Sequence, residues 1–138
     1  MDRSQVDRRS LLASIGAILA QSTAQAQPAS RAGEPIFQHD LPEINLHGWS
    51  VTVVEVKYTP GAGSNAHKHP GLTFAYVLEG EIASKVGDDP ERVYKTGEMF
   101  METPGQIHAV SRNASTTKPA RLLALLLAQK GATLTTPA

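Results

Sequence analysis

Turn signals cut this chain into short pieces, and that punctuation limits what it can fold into. Pro60-Gly61, Glu79-Gly80, Gly87-Asp88-Asp89-Pro90, Lys95-Thr96-Gly97 and Thr103-Pro104-Gly105 break the region after Trp49 at short intervals. Proline and glycine punctuate because one lacks a donor and the other adopts turn dihedrals freely. The runs between them are rich in Val, Ile, Thr and aromatics, which suit a pleated surface. With 9 prolines and 11 glycines spread over 138 residues, the chain suits many short strands better than long helices. The expected class is all-β, a sandwich or small barrel in one compact domain.

Trp49 to Thr59 is the clearest strand, with Val51 and Val53 alternating against Val54 and Val56, so both of its faces are expected to be covered. Thr73–Leu78, Glu81–Val86, Glu91–Tyr94, Glu98–Glu102 and Ile107–Ser111 follow as strands. Ala120–Ala128 is ambiguous, because leucine and alanine favour helix on propensity, but its length and the all-β surroundings favour a buried strand. Before the barrel, 27–44 reads as a polar leader with a possible edge strand at Ile36-Phe37-Gln38. After it, 129–138 reads as a C-terminal tail.

Residues 1–26 read as an address. Arg3, Arg8 and Arg9 precede an apolar run, Leu11 to Ala20, and Ala24-Gln25-Ala26 supplies a small-x-small cleavage site. The apolar run is too short to anchor the chain in a bilayer. Arg8-Arg9 followed by Ser10-Leu11-Leu12 resembles a twin-arginine signal, which exports folded proteins. The expected location is periplasmic or secreted, with no stable membrane anchor once the signal is removed.

Composition narrows the chemistry. With 0 cysteines there are no disulfides and no thiolate ligands, so a metal would need His, carboxylate or water. With 13 basic against 13 acidic residues and no basic stripe, nucleic-acid binding has no electrostatic support. There is no Ser/His/Asp or Cys nucleophile constellation and no phosphate-cradling loop. What stands out is His67-Lys68-His69, bracketed by Gly61 and Gly80. In an extended segment, residues two apart share a face, so two imidazoles can converge on one ion. Imidazole suits Zn, Cu, Fe and Ni.

The spacing around this pair resembles the cupin superfamily. Its first motif runs Gly-x5-His-x-His-x3–4-Glu-x6-Gly, and Gly61, His67, His69, Thr73 and Gly80 stand at those positions. Its second runs Gly-x5-Pro-x-Gly-x2-His-x3-Asn, matched by Gly97, Thr103 in the proline slot, Gly105 and His108. Arg112 occupies the Asn slot, and Asn113 lies one later. The resemblance implies a cupin-type antiparallel barrel (double-stranded β-helix, or jelly roll) over 45–128, often homodimeric, with a metal in its mouth. It implies His67, His69 and His108 as the ligands.

Thr73 departs from the motif, since metal-binding cupins mostly carry Glu there. Three neutral ligands would leave the ion's charge uncompensated and favour an anionic or chelating substrate. That donor set looks like the three-histidine iron centres of cupin dioxygenases. Iron is the first expectation, with Mn, Ni, Cu and Zn as alternatives. Glu102, in the strand leading to the second motif, could fill the gap, although a solvated or hydrogen-bonded role is the plainer reading. Alternation from Thr73 places Ala75 and Val77 in the pocket as well. Phe100 and Met99 or Met101 could also reach it. The expected function is a metal-dependent, dioxygenase-like enzyme acting on a small molecule. The alternative is a non-catalytic periplasmic barrel that binds a metal or small ligand. No catalytic acid or base can be named from the sequence.

Overall fold

The computed structural model describes residues 33–138, and the expected signal sequence lies outside them. Residues 34–138 form one compact unit. Among the described residues every regular element is a strand. In chain order these are β1 (Trp49–Tyr58), β2 (Gly63–Ser64), β3 (His67–Lys68), β4 (Leu72–Glu79) and β5 (Glu81–Val86). Then come β6 (Arg92–Lys95), β7 (Met99–Glu102), β8 (Ile107–Asn113), β9 (Ala120–Gln129) and β10 (Thr136–Pro137). Two antiparallel sheets result. One runs β1-β9-β4-β7, and the other runs β10-β3-β8-β5-β6 with β2 also pairing β8.

The Leu/Ala-rich segment is a strand because of where it sits. β9 pairs with β1 on one side and β4 on the other, so two neighbours override its helical propensity. The first sheet is built of cross-strand rows. Val54, Ala124, Ala75 and Phe100 form one inward row, and Leu126, Thr73 and Glu102 form the next. The row between them, Val53, Leu125, Phe74 and Met101, faces outward. The core packs Tyr58, Val77, Ile82, Phe100, Ala120 and Leu122 between the sheets.

Three expectations change. β1 is an edge strand, and Val51 and Val53 are 59% and 56% exposed, so its two faces are not both covered. Ile36–Gln38 forms no strand. The C-terminal segment is not a free tail, because Thr136 and Pro137 pair with Lys68 and His67.

Two glycines are required by backbone geometry. Gly80, the end of the first motif, has φ of 72°, and a Cβ there would meet the Pro119 carbonyl at 2.6 Å. At Gly71 a Cβ would lie 1.8 Å from the Leu127 carbonyl, where β9 crosses directly beneath the turn. Asn113 supplies a further tie. Its fully buried amide donates to the carbonyls of Thr59 (3.2 Å) and Lys118 (2.7 Å), and its Oδ1 accepts from Ser115 N at 2.9 Å. On the surface, Arg121 on β9 bridges Glu79 on β4 and Glu55 on β1, each at 2.7 Å. Those two carboxylates, Glu79 foremost, raise its pKa further above the ordinary arginine value.

Candidate metal centre

The site lies where the two sheets meet. His67 sits on β3 and His108 opposite it on β8, in direct register. Glu102 ends β7 in the other sheet, opposite Thr73 on β4. His108 reaches the interior because of a bulge. Lys85 pairs with Val110 but Val86 pairs with His108, so Ala109 is an extra residue in β8. The inserted residue reverses the alternation, and His108 and Ser111 both become buried despite being three positions apart.

A ligand atom from each of His67, His69 and Glu102 falls within 4.8 Å of the other two. Glu102 is only 2% exposed. Its Oε2 lies 3.7 Å from His69 Nε2, and its Oε1 lies 3.2 Å from His108 Nδ1. Of the plainer reading of Glu102, as solvated or hydrogen-bonded, burial excludes the solvated half. The strand register brings it beside the slot that Thr73 leaves without a carboxylate.

Each histidine has one nitrogen held from behind. His67 Nδ1 contacts the Asn65 carbonyl at 2.7 Å, and His69 Nδ1 contacts the Leu134 carbonyl at 2.6 Å. A carbonyl can only accept, so Nδ1 carries the proton in both rings, and in the neutral imidazole Nε2 is the lone-pair atom. His108 Nε2 bonds Ser84 Oγ at 2.8 Å. This leaves its Nδ1, which is buried without a hydrogen-bond partner, as are Glu102 Oε2 and Thr73 Oγ1. Buried polar atoms are nearly always satisfied, so the unpartnered Glu102 Oε2 beside His67 and His69 indicates an absent partner, while His108 lies outside the group whose ligand atoms all fall within 4.8 Å of one another. Lone pairs and a carboxylate converging there fit a cation, and partners behind the imidazoles are what metal-ligating histidines show.

A cavity of about 450 Å³ opens from this cluster. Val54, Val56, Leu122, Ala124 and Leu126 give it apolar walls, with Ala75, Phe100 and Thr73 beside the polar end. Ala75, on the same face of β4 as Thr73, lies among the lining residues. Val77 shares its face but lies past the cavity in the core. Thr135, Thr136 and Pro137 complete the lining, so the supposed tail helps to close the site. His39 and His47 are exposed and take no part. No Lys or Arg lines the cavity among the described residues.

A sequence profile of the cupin domain matches residues 54–126, more than half of the chain. The chain belongs to the cupin family. A cupin-domain-containing oxidoreductase of Neurospora crassa is 31% identical over 91 residues, 66% of this chain and 45% of that protein. This cupin thus spans less than half the length of the curated relative it matches. A Klebsiella pneumoniae protein with a double-stranded β-helix domain is 25% identical with a TM-score of 0.54, covering 64% of this chain and 74% of its own. A cupin-like protein of Thermotoga maritima shares the fold at 22% identity and TM-score 0.56, with 64% of each chain covered.

Proposed function

We propose that this cupin is a metal-dependent enzyme of oxidoreductase type that takes a small chelating substrate. The observation that carries this reading is the arrangement of donors: Glu102 Oε2 and His108 Nδ1 are buried and unpartnered, while each imidazole is tied from behind. His67 and His69 would hold the ion through Nε2, Glu102 through a carboxylate oxygen and His108 through Nδ1. The chain would then have three histidines and one carboxylate, with the carboxylate supplied by β7 instead of β4. A bound divalent ion would supply Lewis acidity to a chelating substrate and, if it is iron, redox chemistry with dioxygen.

The protein's own groups do the rest. Asn65, Leu134 and Ser84 fix the rings, and the apolar walls exclude water. Glu102 would offset one unit of the ion's charge, which weakens the preference for an anionic substrate that three neutral ligands would give. No spare carboxylate or imidazole lines the cavity among the described residues, which favours chemistry at the ion over acid–base chemistry by side chains. The oxidoreductase name of the Neurospora relative points the same way.

The test is metal content after purification, followed by oxygen uptake with diketone, thiol and phenolic substrates. Metal and uptake together support the enzyme. Metal without turnover favours the binding-protein reading, and full activity in metal-free protein rules out a metal-dependent enzyme. We further propose export by the twin-arginine route, which predicts that changing both Arg8 and Arg9 to Lys retains the protein in the cytoplasm. We also propose a homodimer formed on the outward face of the β1-β9-β4-β7 sheet.

A further inference from the structure

The cavity has a second polar group away from the metal ligands. Tyr58 Oη lies 2.6 Å from Ser64 Oγ and 3.0 Å from Ser111 Oγ, and all three residues line the cavity. Tyr58 and Ser111 are buried. Three hydroxyls carry three O–H donors, and the two bonds among them use two. One donor is left over, together with several acceptor lone pairs, on a wall that is otherwise Val54, Val56 and Leu122.

The position of this group is set by the same strands that hold the histidines. Ser64 pairs with Ser111 as His67 pairs with His108. His108 and Ser111 straddle the extra residue Ala109, and their partners Val86 and Ser84 on β5 are two residues apart, which separates the two polar ends by about 7 Å. That span suits one six-membered ring and its substituents.

We infer that the Tyr58–Ser64–Ser111 group is a substrate subsite that receives a hydrogen-bond acceptor at the far end of a one-ring chelating ligand. The ligand class follows from the lining. One end presents two oxygens to the metal. The body is flat and apolar, packing near the Phe100 ring and the Val and Leu walls. The far end carries a carbonyl or ether oxygen. A dicarboxylate does not fit this description, because no Lys or Arg lines the cavity among the described residues to meet a second negative charge.

This inference rests on the metal reading above, and the experiment separates the two. Cobalt(II)-loaded protein is titrated under argon with 3,4-dihydroxyacetophenone and with 4-ethylcatechol, reading the visible cobalt bands. The probes match in size, and only the first has a far-end acceptor. Their intrinsic difference in chelation cancels when the affinity ratio is compared between wild type and variant. Tyr58→Phe and Ser111→Ala should each lower the ratio about five- to tenfold, the worth of one neutral hydrogen bond. The 4-ethylcatechol affinity should not move, and circular dichroism confirms that each variant is folded.

An unchanged ratio in both variants, with both probes bound, overturns the subsite. Cobalt binding with no response to either probe also overturns it and leaves the metal centre standing. Failure to retain cobalt overturns the metal centre and the subsite with it.

Discussion

Thr73 and Glu102 are partners across one strand pair, so Glu102 lies beside the position where the cupin motif carries Glu, and in the proposed centre it would supply that carboxylate. Facing residues in an antiparallel pair have Cβ atoms about 4.5–5.5 Å apart, so a carboxylate from either strand can reach nearly the same point. The small threonine leaves room for the longer Glu102. Glu102→Ala should therefore abolish stable metal binding, read as metal retained after dialysis. The exchange variant Thr73→Glu/Glu102→Thr should restore much of it. If the exchange variant is as empty as Glu102→Ala, the carboxylate is not interchangeable between the two strands. Ser84 acts one step further back, through His108. Ser84→Ala should weaken metal affinity about 10- to 100-fold, the range seen when a partner behind a ligating histidine is lost. A spectrophotometric competition titration with a chelator measures it.

At the scale of elements, the site depends on an irregularity and on a segment that looked dispensable. The extra residue Ala109 turns His108 inward, so deleting Ala109 should return it to the outer face and remove metal binding. Truncation before Leu134 removes the carbonyl behind His69 as well as β10, and should weaken metal binding at least about tenfold by the same competition titration.

These elements also mark where the sequence could be read and where it could not. β1 and β4 to β8 announce themselves through turn residues and β-branched or aromatic runs, β9 only through its length and surroundings, and the motif spacing singles out His67, His69 and His108. β2, β3 and β10 are two residues each, too short for any periodic signal. Glu102 was ambiguous because its role depends on register with Thr73, which only the folded sheet fixes. Val51 and Val53 look like core residues because a valine gives no sign of which strand lies at a sheet edge.

For the whole molecule, the outward row of exposed Val53 and half-buried Leu125, Phe74 and Met101 crosses all four strands of one sheet. Val53→Lys should convert the proposed dimer to monomer in sedimentation velocity while leaving the thermal midpoint within a few degrees. A wild-type monomer at micromolar concentration would remove that proposal. Asn113, fully buried, ties the end of β8 to the loop that follows β1 and the loop that precedes β9. Asn113→Ala should cost about 1–3 kcal/mol of stability by leaving those carbonyls unpaired, measurable by urea denaturation.

His67, His69 and His108 belong to the strands and turns of one sheet, and Glu102 belongs to the other. An ion held by all four would be a fastener between the two halves of the barrel. In a chain with 0 cysteines it would take the place that a disulfide fills in many exported domains. Ligand bound only by the folded state adds about 4 kcal/mol at a thousandfold excess over its dissociation constant. Stripping the metal should accordingly lower the melting temperature by several degrees, and resupplying it should reverse the loss. The barrel's durability would then depend on keeping its ion.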